Sequence, residues 1–462
     1  MSSTISMQPA VRSHTRTFYT LIVTQMLSLI GSRISGLAVS IWVFNQTGNA
    51  TPLALVSFFS VIPMVLASGI SGALADRWDR RHIMALADAG QAVGTSLLLL
   101  TFVTDSFQLW HLYAVTFVGA IFGVFQQPAF QASVTMLIAD EQRDRANAIQ
   151  QLSGPVAGMI APAIAGFTFV VIGVAGAIIV DLVTFLIAVG VVLRIHIPRP
   201  VQTDEGQALQ GSLWQESLGG LRYLWSRRIL FVLMLFTAVV NFLVIGVMTL
   251  ATPYVLARTG SEVALGGILS LFNVGAIAGA LIIGIWGGTR PRIHTMMPAL
   301  IAVGIFLMGL GMAQSPGALA VAALLLMLPL PMIEAPFLSM MQAKVPPDLQ
   351  GRVFAVTRQI SMVLTPVAYL LVGPLADRVF EPAAAQSGWN AITPVVGKGT
   401  GSGMGLMIVL AGSITAILTA LMYAHPAIRN LEANLPDYLP VPVPQNAGEI
   451  VGDMVGPSPV VS

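Results

Sequence analysis

Apolar positions in this chain come in long unbroken blocks, separated by short polar punctuation, and hardly ever alternate with polar ones. A helix crossing a bilayer needs about 20 mostly apolar residues, and a single helix satisfies all of its own backbone groups in lipid. On that rule the blocks predict twelve spanning helices. The first six fall near 18–44, 52–75, 83–104, 108–138, 146–171 and 173–193; the second six fall near 229–257, 263–287, 293–313, 317–343, 353–375 and 402–424. Turn signals separate them, among them Gln46-Thr47-Gly48-Asn49, Thr104-Asp105-Ser106 and Gln314-Ser315-Pro316-Gly317. The expected class is an all-α membrane protein. Its parts are an N-terminal tail (1–17), a six-helix lobe (18–193), a polar linker (194–228), a second six-helix lobe (229–424) and a tail (425–462).

Composition sharpens this picture. Hydrophobic residues make up 55% of the 462 and charged residues only 9%, against roughly 25% charged in a soluble domain. The net charge of +2 is too small to mark a nucleic-acid-binding surface. The absence of cysteine removes disulfides, thiolate metal sites and cysteine nucleophiles. Residues 1–17 are polar, and the apolar run after them is too long for the core of a signal peptide, so a retained first helix is expected.

The basic residues orient the chain. With an even number of crossings both ends share one side, and segments on that side hold 18 of the 22 basic residues. The opposite side holds Arg258, Arg378 and Lys398, and Arg33 lies within a helix. The positive-inside rule places both termini in the cytoplasm. Within the linker, Leu213 to Trp225 repeats apolar residues at helical spacing before Arg227-Arg228. This suits either a helix lying in the membrane surface or a linker helix packed on one lobe. The tail turns polar at His425 and Pro-rich at Pro436, Pro440, Pro442 and Pro444, so disorder is expected there.

The halves echo each other. Pro128-Ala129-Phe130, Gln131 and Arg145 recur as Pro336-Phe337, Gln342 and Arg352; Arg80-Arg81-His82 has a worn counterpart in Arg290, Arg292 and His294. Related six-helix halves are a transporter arrangement. No His-Glu-x-x-His, phosphate loop or Gly-x-Ser-x-Gly elbow occurs, so no catalytic, metal or cofactor site is predicted and the chain reads as a non-enzyme.

The charged hairpin Gly72-Ala73-Leu74-Ala75-Asp76-Arg77-Trp78-Asp79-Arg80-Arg81 resembles the signature loop between the second and third helices of the major facilitator superfamily, with Asp79 where that pattern usually has Gly. The resemblance spans residues 18 to 435. Gly31-Ser32-Arg33, Val180-Asp181-Leu182-Val183-Thr184-Phe185, Val345-Pro346-Pro347-Asp348-Leu349-Gln350-Gly351-Arg352 and Gly373-Pro374-Leu375-Ala376-Asp377-Arg378 resemble its bacterial exporter branch, which includes macrolide-efflux and enterobactin-exporter proteins. It implies two pseudo-symmetric lobes in a bacterial inner membrane, exporting a small, moderately hydrophobic compound (drug-like, macrolide or siderophore) by alternating access. Protons and the lipid bilayer are the implied partners, and the chain is expected to be a monomer. Import, lipid flipping or a non-transporting scaffold role are the competing readings.

The resemblance also implies a conformational latch in which Gly72 and Asp76 meet the start of the eleventh helix near Arg352 and Arg358. Arg77 belongs to the same loop, and Arg80 and Arg81 would meet lipid phosphates or Asp140, Glu141 and Asp144. Inside the helices stand Arg33, Asp88, Asp181 and Glu334, each costing roughly 2.5–3.5 kcal/mol near the bilayer centre. Arg33 is a candidate for recognising an anion or biasing a carboxylate. Glu334, between Pro331 and Pro336, either carries a proton or pairs with Arg33. Asp181 is a structural partner or a proton site, and Asp88 is assigned to the hairpin's charge network. Gln126, Gln127, Asn241, Asn273 and Gln359 are neutral candidates for substrate hydrogen bonds or for bonds between helices. In the fifth helix Gly154-Pro155, Gly158, Ala161-Pro162 and Ala165-Gly166 allow close helix contact and resemble part of an exporter motif.

Overall fold

The computed structural model describes residues 15–77, 79–137, 143–195, 222, 225, 227–345 and 347–434; side chains at 67–77, 132, 135–136, 143–148, 151, 347–349, 351–352 and 355 are outside that description. The described chain is helical throughout. The first four helices are α1 (Thr15–Thr47), α2 (Thr51–Arg77), α3 (Arg80–Val103) and α4 (Leu109–Leu137).

A helical stretch from Arg143 to Arg194 follows, broken at Gly173, whose φ of 69° and ψ of −175° no helix contains. A positive φ is readily available only to glycine. The break makes two helices, α5 (143–172) and α6 (174–194), and the chain reverses there. Gly158 on one arm and Asp181 on the other both reach neighbouring residues of α1, namely Arg33 and Ser32.

The second half consists of α7 (Arg228–Thr259), α8 (Glu262–Trp286), α9 (Ile293–Met312), α10 (Pro316–Lys344), α11 (347–384) and α12 (Ser402–Ala424). Among the described residues, ten helices are long and apolar enough to cross a membrane when Leu152–Arg194 is counted as one; α2 contributes the shorter apolar run Thr51–Leu66. Large apolar side chains such as Leu97, Val171, Ile285 and Leu421 stand exposed on the helix exteriors, as a lipid-facing surface requires.

Three helices of the second half are interrupted by short turns, at Thr249-Leu250, Leu328-Pro329 and Val363-Leu364. The interruption in α10 therefore lies just ahead of the Pro331–Pro336 segment that brackets Glu334. The eleventh helix also runs on past Leu375, through a π-helical turn at Ala376–Phe380 to Ala384.

The tail departs from expectation as well. His425 starts two short turns, Pro426–Arg429 and Leu431–Asn434, with Ile428 and Leu431 buried among Leu230, Ile293 and Met341. Glu432 binds the backbone N–H of Ile293 (3.1 Å) and Arg292 (3.4 Å), and Lys344 donates to its carbonyl (3.2 Å). The first ten residues of the tail are thus docked, because two apolar side chains and one acidic cap find the start of α9. Residues 435–462 and the proposed surface helix at 213–225 lie outside the described residues, apart from isolated positions.

Within the first half α1 packs on α5 and α6, α3 packs on α4 and on the α5–α6 hairpin, and α4 packs on α2; within the second, α9 packs on α12 and α8 on α10. Two antiparallel pairs join the halves: α5 with α8, and α2 with the Thr365–Leu375 part of α11.

Candidate functional site

Three consecutive residues of α1 organise the middle of the molecule, each about 100° around the helix from the last. Gly31 lies against Thr184 of α6 so closely that a Cβ would fall 2.2 Å from its Oγ1. Ser32 donates to Asp181 Oδ1 at 2.9 Å. Arg33 turns the other way, toward α5 and the second half: its Nη1 and Asn273 Oδ1 lie 2.6 and 2.2 Å from where a Cβ on Gly158 would be. Asn273 of α8 also donates to the Gly158 carbonyl at 2.8 Å. The Gly31-Ser32-Arg33 and Asp181-Thr184 segments are therefore two sides of one contact, and Arg33 is placed where the halves meet.

Two carboxylates are enclosed in the first half. Asp181 is 5% exposed; besides Ser32 it has Thr95 Oγ1 at a long 3.5 Å. Asp88 is 1% exposed and accepts from Gln25 (3.0 Å) and Gln126 (2.6 Å), with Gln91 donating to Gln126 (2.9 Å). Among the described residues neither makes an ion pair. The described partners of Asp88 are amides of α1 and α4, and the side chains of Asp76 and Arg77, to whose charges the sequence assigns it, lie outside the description. Gln126 accordingly serves that network rather than an open pocket.

The α5–α8 seam runs from mid-height to one end. A Cβ on Gly166 would lie 2.4 Å from the Glu262 carbonyl, and one on Gly266 2.3 Å from that of Pro162. These approaches need glycine, as the small residues of the fifth helix implied. The same end is closed between α2 and α11. Gly373 sits against Thr51 and Ala54, and Asp377 accepts from the N–H groups of Ala50 (2.8 Å) and Thr51 (2.7 Å) and from the Thr51 hydroxyl. Asn45 of α1 donates to Glu262 of α8 at 3.1 Å. This end, opposite the termini, is the far mouth. Toward the termini, nothing described lies within 4 Å of a Cβ built on Gly154 or Gly284. Among the described residues, the close contacts between the halves run from mid-height to the far mouth.

In the charged hairpin, the non-glycine at Asp79 has a plain cause. With φ −63° and ψ 116° it caps α3, accepting from the N–H of Arg81 at 3.0 Å, and it lies 3.6 Å from His82. Arg81 donates to the carbonyls of Val192 (3.1 Å) and Leu193 at the end of α6, a favourable place for a cation; Asp140, Glu141 and Asp144, the carboxylates expected near it, fall outside the described side chains. Arg80 is partly buried at the start of α3, and the side chains of Gly72, Asp76, Arg77 and Arg352 lie outside the description.

Glu334 is exposed on α10 and makes no ion pair with Arg33, so the proposed pairing of those two is not formed. Gln127, Arg358 and Gln359 are also exposed; Asn241 donates to the Ser361 carbonyl (2.9 Å), tying α7 to α11. Sequence reasoning missed Asn45, Thr51, Glu262 and, as a site residue, Asp377. Its available signal was the repeat of Gly-x-Leu-Ala-Asp-Arg at 72–77 and 373–378.

Paired helix bundles meeting at one mouth are the architecture of a membrane carrier. The profile of the Major Facilitator Superfamily matches residues 21–369, and the chain belongs to that family. Macrolide efflux protein A of Streptococcus pyogenes is 26% identical over 365 residues, covering 78% of this chain and 90% of that protein. The multidrug efflux pump Tap of Mycobacterium tuberculosis is 23% identical over 367 residues, covering 78% and 87%. Among solved structures, the D323A mutant of the nucleoside transporter NupG superposes with a TM-score of 0.69 at 11% identity, over 88% of this chain and 100% of that one. A bacterial homologue of the human lysosomal transporter Spinster, inward-facing and unoccupied, gives 0.67 at 14% identity, over 94% and 100%. The shared fold is that of multi-pass membrane transporters.

Proposed function

We propose that this protein is a proton-coupled exporter of a small, moderately hydrophobic compound, crossing a bacterial cytoplasmic membrane twelve times with both termini inside. The twelve crossings follow when α2 is counted and α5 and α6 are separated at Gly173. The observation that carries the reading is the closed far mouth, held by Asp377, Asn45 and Gly166. A carrier in this state loads from the cytoplasm. The efflux relatives at 26% and 23% identity support the outward direction.

For coupling we favour Asp181. A carboxylate enclosed by neutral donors can bind and release a proton without breaking an ion pair, and Ser32 links it to Arg33 on the seam. Arg33, Asn273, Gln127 and Glu334 are assigned to substrate, with Asp88 as a second proton-binding carboxylate held in amides. One proton crossing ~100 mV supplies ~2.3 kcal/mol, enough for a concentration ratio of nearly fiftyfold at about 1.4 kcal/mol per decade.

The deciding experiment is an export assay over a compound panel in energised inside-out vesicles, with and without an uncoupler. Uncoupler-sensitive accumulation of at least one compound is expected. Uptake by intact cells, or accumulation indifferent to the uncoupler, would overturn export or proton coupling respectively.

A further inference from the structure

The segment Gly373–Arg378 lies toward the far end of α11 as Gly72–Arg77 lies at the end of α2, with Gly, Leu, Ala, Asp and Arg at matching positions. Because α2 and α11 are antiparallel, the two copies stand at opposite mouths of the same helix pair. What the second copy does is visible. Helix α2 begins at Thr51 behind Ala50, which has no side chain able to cap it. The first N–H groups of a helix have no partner within the helix and carry the positive end of its dipole. Asp377, 326 and 327 residues further along, takes the N–H groups of Thr51 and Ala50. Gly373, one turn earlier, permits the approach, since a Cβ there would fall 2.6 Å from Thr51 Cα.

We propose that Asp377 is the latch of the far mouth: it caps α2 across the lobe boundary while that mouth is shut and releases it when the mouth opens. The resemblance implies that the signature loop at Asp76 acts on α11 at the other mouth, which would give the transporter two copies of one device on one helix pair. Each copy stabilises the state the other opposes. The proposal rests on the alternating-access reading, but it concerns the equilibrium between states and not the substrate or the ion.

The chain has no native cysteine, so a single one is a clean reporter. Ile41 of α1 is fully buried in the core cluster that also holds Ala50 and Ala54 of the α2 start and Tyr254 of α7, on the side of the closed far mouth. Ile41→Cys would be labelled with a membrane-impermeant maleimide from outside, in unenergised cells without substrate. Adding Asp377→Asn is expected to raise the initial labelling rate about tenfold, the factor that ~1.4 kcal/mol represents. Asp76→Asn should lower it, and the two together should return it toward the parent. Thr51→Val, which removes only the hydroxyl contact, should raise it less.

Parent-rate labelling of Asp377→Asn at parent membrane levels would overturn the latch. So would a rise with Asp76→Asn as well, since that marks general loosening. If Asp377→Asn fails to reach the membrane, Asp377→Glu and Thr51→Val decide: a rise in either supports the latch, and parent-rate labelling in both overturns it. Loss of uncoupler-sensitive export would instead strike the proposed function and leave these labelling rates as they are.

Discussion

Gly158 shows how much one hydrogen atom can decide. The nearest atoms to a Cβ there are the tips of Arg33 and Asn273, flexible ends that can give way. Gly158→Ala is therefore expected to keep the protein folded while displacing both groups from the seam. Transport should weaken severalfold, chiefly through the substrate concentration needed, at unchanged membrane abundance; a concentration series of efflux checks this. Asp181→Asn is the complementary change. The amide still accepts from Ser32 but cannot exchange a proton, so substrate-driven proton movement in proteoliposomes should fall on the order of tenfold, one decade per ~1.4 kcal/mol. Asn241→Ala, by contrast, removes only a tie between α7 and α11 and should leave coupling intact. At this scale the sequence showed which residues were costly in lipid, but not what faced them. Asp88 was read as part of a charge network because arginines lie near it in sequence; in the fold, Gln25 and Gln126 arrive from helices α1 and α4.

Between elements, glycines that face backbone behave differently from Gly158. A Cβ on Gly275 or Gly279 of α8 would fall 2.0 or 1.9 Å from the carbonyls of Leu324 and Leu328 in α10, and a backbone cannot swing aside. Gly279→Ala should force these helices apart and destabilise the second half by ~1–3 kcal/mol, the usual cost of overpacking, seen as a lower melting temperature in detergent. Across the lobe boundary, Asn45→Cys with Glu262→Cys, joined through two disulfides by a short bis-methanethiosulfonate, should arrest turnover until a reductant frees it. Helix existence was legible because long apolar runs leave no other solution in a bilayer. Boundaries were less so: α11 continues through Asp377 because its cap is delivered to a helix three hundred residues away, a relation no local pattern encodes.

For the whole molecule, the two-lobe plan was readable from repeated motifs and from the side on which arginine collects. The docked start of the tail was not, because two apolar side chains in Pro426–Asn434 make no periodic signal. Glu432→Ala removes the cap from Ile293 and the partner of Arg292. A loss of about 1 kcal/mol, typical of a helix cap, is expected, seen as a lower melting temperature in detergent.

The reversal at Gly173 has a mechanical consequence. With only one residue turning the chain, α5 and α6 are the two legs of a single hairpin and neither can travel without the other. In the proposed alternating-access cycle, a tilt of α5 on α8 would be delivered through that bend to the leg carrying Asp181, while Ser32 holds the same carboxylate from α1. The stroke of the carrier and the surroundings of its buried acid are thereby geared together, with no slack loop between them to absorb the motion.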